Sequence, residues 1–198
     1  MNTLGRVIKR VFDIILSSVG IILSFWVIIL AFIIASIETK SFGLFIQKRV
    51  GKNARLFNVF KIKTMKEVDG VEGTITTSND MRITKSGKFF RDTKIDELPQ
   101  LFNVFLGSMS FVGPRPDVKG YADNLEGEDR LLLTIRPGIT GPASIKYKNE
   151  EELLSRQSDP KEYNDKVIWV DKVAINLEYI KNWSLKKDIK YIIKTIIG

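Results

Sequence analysis

One stretch of the chain has residue types at a spacing that suits phosphoryl chemistry. It runs Arg91-Asp92-Thr93-Lys94-Ile95-Asp96-Glu97-Leu98-Pro99-Gln100-Leu101 and continues to Gly113-Pro114-Arg115-Pro116. Asp96 and Glu97 are adjacent carboxylates ahead of a helical pattern. Leu98, Leu101, Phe102 and Phe105 recur at i, i+3, i+4 and i+7, and Gly107 is a natural stop. On that register Asp96 takes the N-cap and Glu97 the first helical position, with Pro99 in the first turn, where its missing N–H costs little. Capping by itself would account for the carboxylates. It does not account for Arg115, whose two flanking prolines fix the backbone around one guanidinium and suit a bidentate donor aimed at phosphate. An Asp at a helix N-terminus is expected to stay ionised at neutral pH.

Composition narrows the chemistry further. There is no Cys and no His, which removes thiolate nucleophiles, Ser-His pairs, disulfides and ordinary zinc sites. Carboxylates, Lys, Tyr and Ser remain, and any metal would be a hard cation on oxygen ligands, Mg²⁺ first among them. Lys and Arg number 31 against 23 Asp and Glu, a net +8, which points to an anionic partner such as phosphates, a membrane surface or nucleic acid. No nucleic-acid module or internal repeat is present, and the aromatic or Gly-rich platforms of single-strand binders are missing.

The elements that must position these residues divide the chain at about residue 40. Residues 14–37 carry no charge and hold sixteen Ile, Leu, Val and Phe, each worth about −0.3 to −0.6 kcal/mol on an insertion scale, so residues 1–40 form a membrane-embedded N-terminal helix. The run is too long for a signal-peptide core. As a straight helix it reaches about 36 Å, enough to span. Arg6, Lys9 and Arg10 before it, with Lys40, Lys48, Arg49 and Lys52 after it, do not favour sending either flank across, so a broken helix that returns to the same side stands beside a full span as the alternative. Without a proline, such a bend would fall on Ser17, Ser18, Gly20 and Ser24.

Residues 41–198 form one catalytic domain, helix-dominated α+β with short strands and surface amphipathic helices. Two strands are expected within 44–65 around Gly51, Lys52 and Asn53, with Lys61 and Lys63 on one face. A polar loop covers 69–80, and Thr84 caps a short helix with Phe89 and Phe90 inward. A helical pattern between Tyr121 and Leu133 ends at Arg136-Pro137-Gly138, where Arg136 could cap the helix carboxyl end. After it come a turn and a short strand. Asn149 with Glu152, and Asp159-Pro160 with Glu162, are capping-box starts, the second leading to a helix that ends near Lys181. Ser184 opens a basic amphipathic helix with Ile189, Ile192, Ile193, Ile196 and Ile197 on one side and Lys186, Lys187, Lys190 and Lys194 on the other. That stripe suits either a membrane interface or the protein core.

The pattern of Arg91, Asp96 to Leu101, Asn103-Val104, Gly107, Met109-Ser110-Phe111, Gly113 to Pro116 and Arg136 to Gly141 resembles the bacterial sugar transferases that are monotopic polyprenyl-phosphate phosphoglycosyl transferases. The likeness covers the chain from about Lys9 to about Ser184. It implies an enzyme that moves a phosphosugar from a UDP-sugar to polyprenyl phosphate and releases UMP. Asp96 would be the nucleophile of a covalent intermediate, and Asp96 with Glu97 would hold Mg²⁺. Lys61, Arg91, Arg115 and Pro116 would bind phosphates, with Arg136 bordering the site. The resemblance also implies a re-entrant N-terminal helix, a catalytic domain on the cytoplasmic face of the bacterial inner membrane, and a first step in glycoconjugate or exopolysaccharide assembly. The homologous Ser-Pro bend is absent here, and Asn176 stands where an Asp is usual, with Asp171 a weak substitute. Its partners are the phospholipid bilayer and the two substrates, with a homo-oligomer or downstream glycosyltransferases left open. The rival reading is a non-enzymatic, membrane-anchored basic adaptor in a glycan synthesis complex.

Overall fold

The computed structural model describes residues 1–66 and 80–197, so the polar loop expected over 69–80 lies, except for Asp80, outside the described residues. Helix α1 (Thr3–Thr39) opens with Asn2, whose side chain accepts from the Gly5 N–H at 2.8 Å, and ends where Lys40 turns left-handed at φ 51°. It is continuous, which corrects the expectation of a broken helix. The Ser18, Ser24 and Ser36 hydroxyls bond back to the carbonyls of Ile14, Gly20 and Phe32 without displacing the helical ladder. With no proline to remove a donor, nothing interrupts it.

The burial of α1 follows its four-residue repeat. Gly5, Lys9, Asp13 and Ser17 are buried at one end, and Ala31, Ala35 and Thr39 at the other. Between them Leu23 and Trp26 are each 76% exposed. Both ends therefore rest on the domain, while the middle presents bare apolar side chains.

Strands β1 (Leu44–Val50) and β2 (Leu56–Ile62) form the expected antiparallel hairpin, with Phe45 opposite Lys61. Helix α2 (Lys85–Asp92) starts at Thr84, whose hydroxyl accepts from Gly87 N at 2.9 Å. Phe90 faces inward against Ile62, Ala31 and Ala35, but Phe89 points out at 57% exposed, because neighbours on a helix are about 100° apart and only one can face the core. Helix α3 (Gln100–Leu106) ends at Gly107, left-handed at φ 89°. Strands β3 (Ser110–Val112) and β4 (Gly138–Thr140) pair in parallel. The described residues form a helix-dominated α+β fold with two small sheets and one long apolar helix of a length that could cross a membrane.

Three further local expectations fail. Instead of a helix, the segment between Tyr121 and Leu133 forms 3₁₀ turns over Ala122–Asn124 and Gly127–Thr134, with Leu132 and Leu133 buried. Gly127 between them adopts a left-handed φ of 55°, which no α-helix accommodates. After β4 the chain enters helix α4 (Pro142–Lys146), since Pro142 cannot donate to a ladder but is preorganised for a first helical turn. Helix α5 (Glu150–Ser155) lacks a side-chain cap from Asn149, whereas Asp159 caps α6 (Pro160–Tyr163) through Glu162 N at 2.9 Å. A π-type turn joins α6 to α7 (Trp169–Lys181), and Ser184 precedes α8 (Leu185–Ile197). In α8, Tyr191 and Ile192 pack on the core while Ile189, Ile193, Ile196 and Ile197 stay exposed, so the stripe divides between the two expected roles.

Candidate active site

The two carboxylates do not cap α3. Lys94, left-handed at φ 59°, throws the chain into a separate 3₁₀ turn, Ile95–Glu97, closed by Glu97 N to Lys94 O and Leu98 N to Ile95 O at 3.2 Å each. Pro99 then occupies the cap position of α3, with no side-chain bond. The correction matters because the local backbone no longer sets the environment of Asp96; burial and neighbouring charge do.

What sets it is tertiary. Asn103, in the middle of α3 and 2% exposed, takes the Phe60 N–H on its Oδ1 at 3.0 Å and donates from Nδ2 to Asn58 O at 2.7 Å. This pins α3 to β2 and brings the next strand residue, Lys61, onto Glu97: Nζ to Oε1 is 2.8 Å. The same Oε1 lies 3.5 Å from an Arg115 terminal nitrogen. Glu97 thus holds a lysine and an arginine from two different segments.

The environment drives the carboxylates apart in acidity. Asp96 is pushed up to about 6 by burial first and by the Glu97 charge second, with Lys61, Lys94 and Arg91 opposing. Glu97 is buried too, but Lys61 and Arg115 outweigh that and hold it down at about 2. Asp96 is therefore the poised group and Glu97 the permanent anion. Oδ1 of Asp96 is buried with no hydrogen-bond partner among the described residues, an arrangement that would be costly unless something binds it.

That orphan oxygen also tests the fit of a metal. Among the described residues no third carboxylate joins the pair. Two carboxylates are nonetheless what Mg²⁺ commonly takes from protein when substrate phosphates complete its shell, so the pair fits the ion.

A solvent-open cleft runs from Lys61 and Arg115 along β1, lined also by Phe45, Gln47, Arg49 and Gln100. Arg49 donates to Gln47 and to the Pro116 carbonyl, so Pro116 contributes its backbone to the wall. Asp117, the next residue, is raised to about 6 by burial, with Lys172 and Arg49 opposing. Arg91 acts on both Asp96 and Asp80 through its charge. The structure thus brings together Asp96, Glu97, Lys61, Arg91, Arg115 and Pro116.

Arg136 lies elsewhere. Its Nε donates to Gly107 O at 2.6 Å, at the end of α3 opposite the carboxylates. There it is joined by Arg10 of α1, whose two terminal nitrogens donate to Val104 O and Phe105 O at 2.6 and 2.7 Å. The helix that Arg136 was expected to cap is absent, and Arg136 instead binds the carbonyl that ends α3. Asn176 is buried on α7, and Asp171 accepts from Lys146 and Tyr147.

Sequence reasoning missed the head of α1. Lys9 donates to Asp188 at 2.6 Å, where Tyr179 and Trp183 also converge at 2.7 and 3.0 Å. Asp13 takes the Ser110 hydroxyl and the Phe111 N–H at 3.0 and 3.1 Å. The available signal was Lys9-Arg10-x-x-Asp13, with the 9/13 pair one turn apart on a single helix face immediately before an apolar run.

The site and fold together define a helix-dominated protein in which Glu97 holds two cations next to Asp96 and one helix is long and apolar enough to cross a membrane. The chain belongs to the bacterial sugar transferase family, whose family model matches residues 4–198. It is 36% identical over 204 residues to the UDP-glucose:undecaprenyl-phosphate glucose-1-phosphate transferase of Klebsiella pneumoniae, covering 99% of this chain and 41% of that protein. It is 33% identical over 193 residues to the UDP-N-acetylgalactosamine-undecaprenyl-phosphate N-acetylgalactosaminephosphotransferase of Aeromonas hydrophila, covering 96% and 43%. Against the exopolysaccharide production protein ExoY of Rhizobium meliloti it is 30% identical over 212 residues, covering 99% and 87%. The chain thus spans about two-fifths of the length of the first two relatives and most of the third.

Proposed function

We propose that the chain is a phosphoglycosyl transferase that moves a phosphosugar from a UDP-sugar to polyprenyl phosphate. The observation that carries this is the split carboxylate pair, with Asp96 near 6 and an orphan oxygen beside a Glu97 that anchors Lys61 and Arg115. The relatives' names supply the substrate class. An Asp96 oxygen attacks the β-phosphorus, forming an acyl phosphate as the bond to the α-phosphate bridging oxygen breaks and UMP leaves. A polyprenyl phosphate oxygen then attacks that phosphorus, breaking the Asp96 bond and restoring the carboxylate. Lys61, Arg91 and Arg115 neutralise the phosphates in both steps. Asp96 and Glu97 would hold Mg²⁺, which adds charge neutralisation at the phosphates when bound. The test is intact-mass measurement after incubation with UDP-sugar alone, which should show one added phosphosugar. Turnover without any adduct would sink the two-step route.

Two further results follow from this reading. The rate of adduct formation should fall about tenfold per pH unit below about 6, as Asp96 protonates. In a Glu97→Gln variant that inflection should move to lower pH, because the neighbouring anion that raises Asp96 is gone and Lys61 and Arg115 are freed; single-turnover rates across pH read it directly. Chelation with EDTA should stop turnover, and restored Mg²⁺ should return it.

Domain placement is part of the same proposal, with residues 1–40 as the membrane element and 41–198 as the cytoplasmic domain on the inner membrane. One-sided attachment is supported by the contacts at both ends of α1: Lys9 and Asp13 at one, and Ala35 against Phe90 with Glu38 on Ser86 at the other. A spanning helix would put those contacts on opposite faces of about 30 Å of hydrocarbon and drag the charged domain through it. Tags on both termini should be protease-accessible from one side of sealed vesicles. Accessibility from opposite sides would refute this topology.

A further inference from the structure

We propose that Arg6, Arg10, Lys52 and Arg136 form a headgroup site for an anionic glycerophospholipid of the host bilayer, distinct from the phosphates being transferred. Three chain segments converge there. Met1, Val50, Ala54 and Ile135 share one core cluster, which brings together the start of α1, the turn after β1 and the segment before β4. Arg6, Lys52 and Arg136 sit on these segments. Arg10 and Arg136 are fixed to the same turn, one on the carbonyls of Val104 and Phe105 and the other on that of Gly107.

Four cations so placed repel one another, and among the described residues none forms an ion pair with a carboxylate within 4.0 Å. Burial and the charges of Arg136 and Arg6 push the Lys52 ammonium down, and burial and Arg136 push Arg10 down against the opposing charge of Asp13, as expected where cations crowd together. Arg136 spends only Nε on protein, leaving its two terminal nitrogens as donors, and Lys52 Nζ and the Arg6 side chain have no hydrogen-bonded partner among the described residues. Guanidinium and ammonium groups in this number suit a phosphodiester.

The surroundings select a lipid rather than a free anion. Arg10 is four residues, about 6 Å of helix, before the uncharged run that starts at Ile14, so the cluster falls at headgroup depth on the attachment reading above. Its wall is apolar: Phe105 is 44% exposed and Leu106 70%, beside Val7 and Val11 at 54% and 50%. An acyl chain lying along these continues the bare flank of α1. The carboxylates lie at the other end of α3, so the bound lipid need not compete with the acceptor.

The test reconstitutes the full chain in vesicles of equimolar phosphatidylglycerol and phosphatidylcholine, extracts it in mild detergent, and counts retained lipid by native mass spectrometry. Wild type should retain phosphatidylglycerol over phosphatidylcholine by about tenfold. Arg6→Gln with Lys52→Gln should bring that ratio to near unity, either single change should lower it by about threefold, and Arg6→Lys with Lys52→Arg should keep it. Substituting Lys186 and Lys190 of α8 by Gln should leave the ratio unchanged, and millimolar inorganic phosphate should not displace the lipid. A wild-type ratio near one, a ratio that survives loss of both charges, or displacement by free phosphate would each overturn the proposal. The lipid count is independent of turnover, so its failure would leave the transfer reaction standing.

Discussion

An Asp96→Asn chain should take up no covalent phosphosugar from a UDP-sugar, and its turnover should fall by about 10³-fold or more. The substitution keeps shape and volume, so the 3₁₀ turn and the contacts of α3 are expected to survive. It replaces the attacking oxygen with an amide that cannot form a stable bond to phosphorus. Glu97 keeps Lys61 and Arg115, so UDP-sugar should still bind, with KM changed far less than kcat. That separation distinguishes a nucleophile from a mere ligand. Loss of Glu97 releases both cations and should damage binding and rate together. Retention of more than a tenth of wild-type turnover by the Asn variant would assign Asp96 a supporting role.

The second large effect concerns stability. Lys9→Met should cost about 3–5 kcal/mol of unfolding free energy, a drop of about 6–20 °C in midpoint, because it strips the cation from a carboxylate that has no access to water. Asp188 is 0% exposed, and its remaining partners, the Tyr179 hydroxyl and the Trp183 N–H, are neutral donors. Burial and Asp188 together hold the Tyr179 phenol well above its usual range, so it stays a donor at any working pH. Adding Asp188→Asn to Lys9→Met removes the stranded charge and should recover most of the loss. Thermal unfolding of the two variants in the same detergent measures this. Equal midpoints for wild type and Lys9→Met would mean that the pair does not hold α1 to the domain. The effect should reach the site as well, since Arg10, the next residue, grips the carboxyl end of α3.

Several features were legible from local chemistry. The β1/β2 hairpin, Thr84 as a cap, Gly107 as a stop and Asp159 before Pro160 each depend on neighbours within a few positions, and each stands in the structure as expected. Expectations that treated a pattern as a helix without weighing its breakers did less well. The segment from Tyr121 to Leu133 has the spacing of a helix but breaks at Gly127, and the carboxylate turn separates from α3 at Pro99, which has no N–H to carry a helical ladder between them. Phe89 and Phe90 could not both face inward on one helix.

What the sequence determined by itself was the inventory: a chain without thiol or imidazole, rich in cations, with a paired carboxylate, a proline-braced arginine and a membrane-length apolar segment. Those are matters of composition and near-neighbour spacing, which the covalent chain carries into any fold. Only the tertiary structure decided which carboxylate is poised and which is clamped, because acidity here depends on burial and on charges 18 and 36 residues away, at Arg115 and Lys61. The same holds for Arg136. Its neighbours in the chain gave no hint that it would share the far end of α3 with Arg10, 126 positions away, a placement that only packing creates.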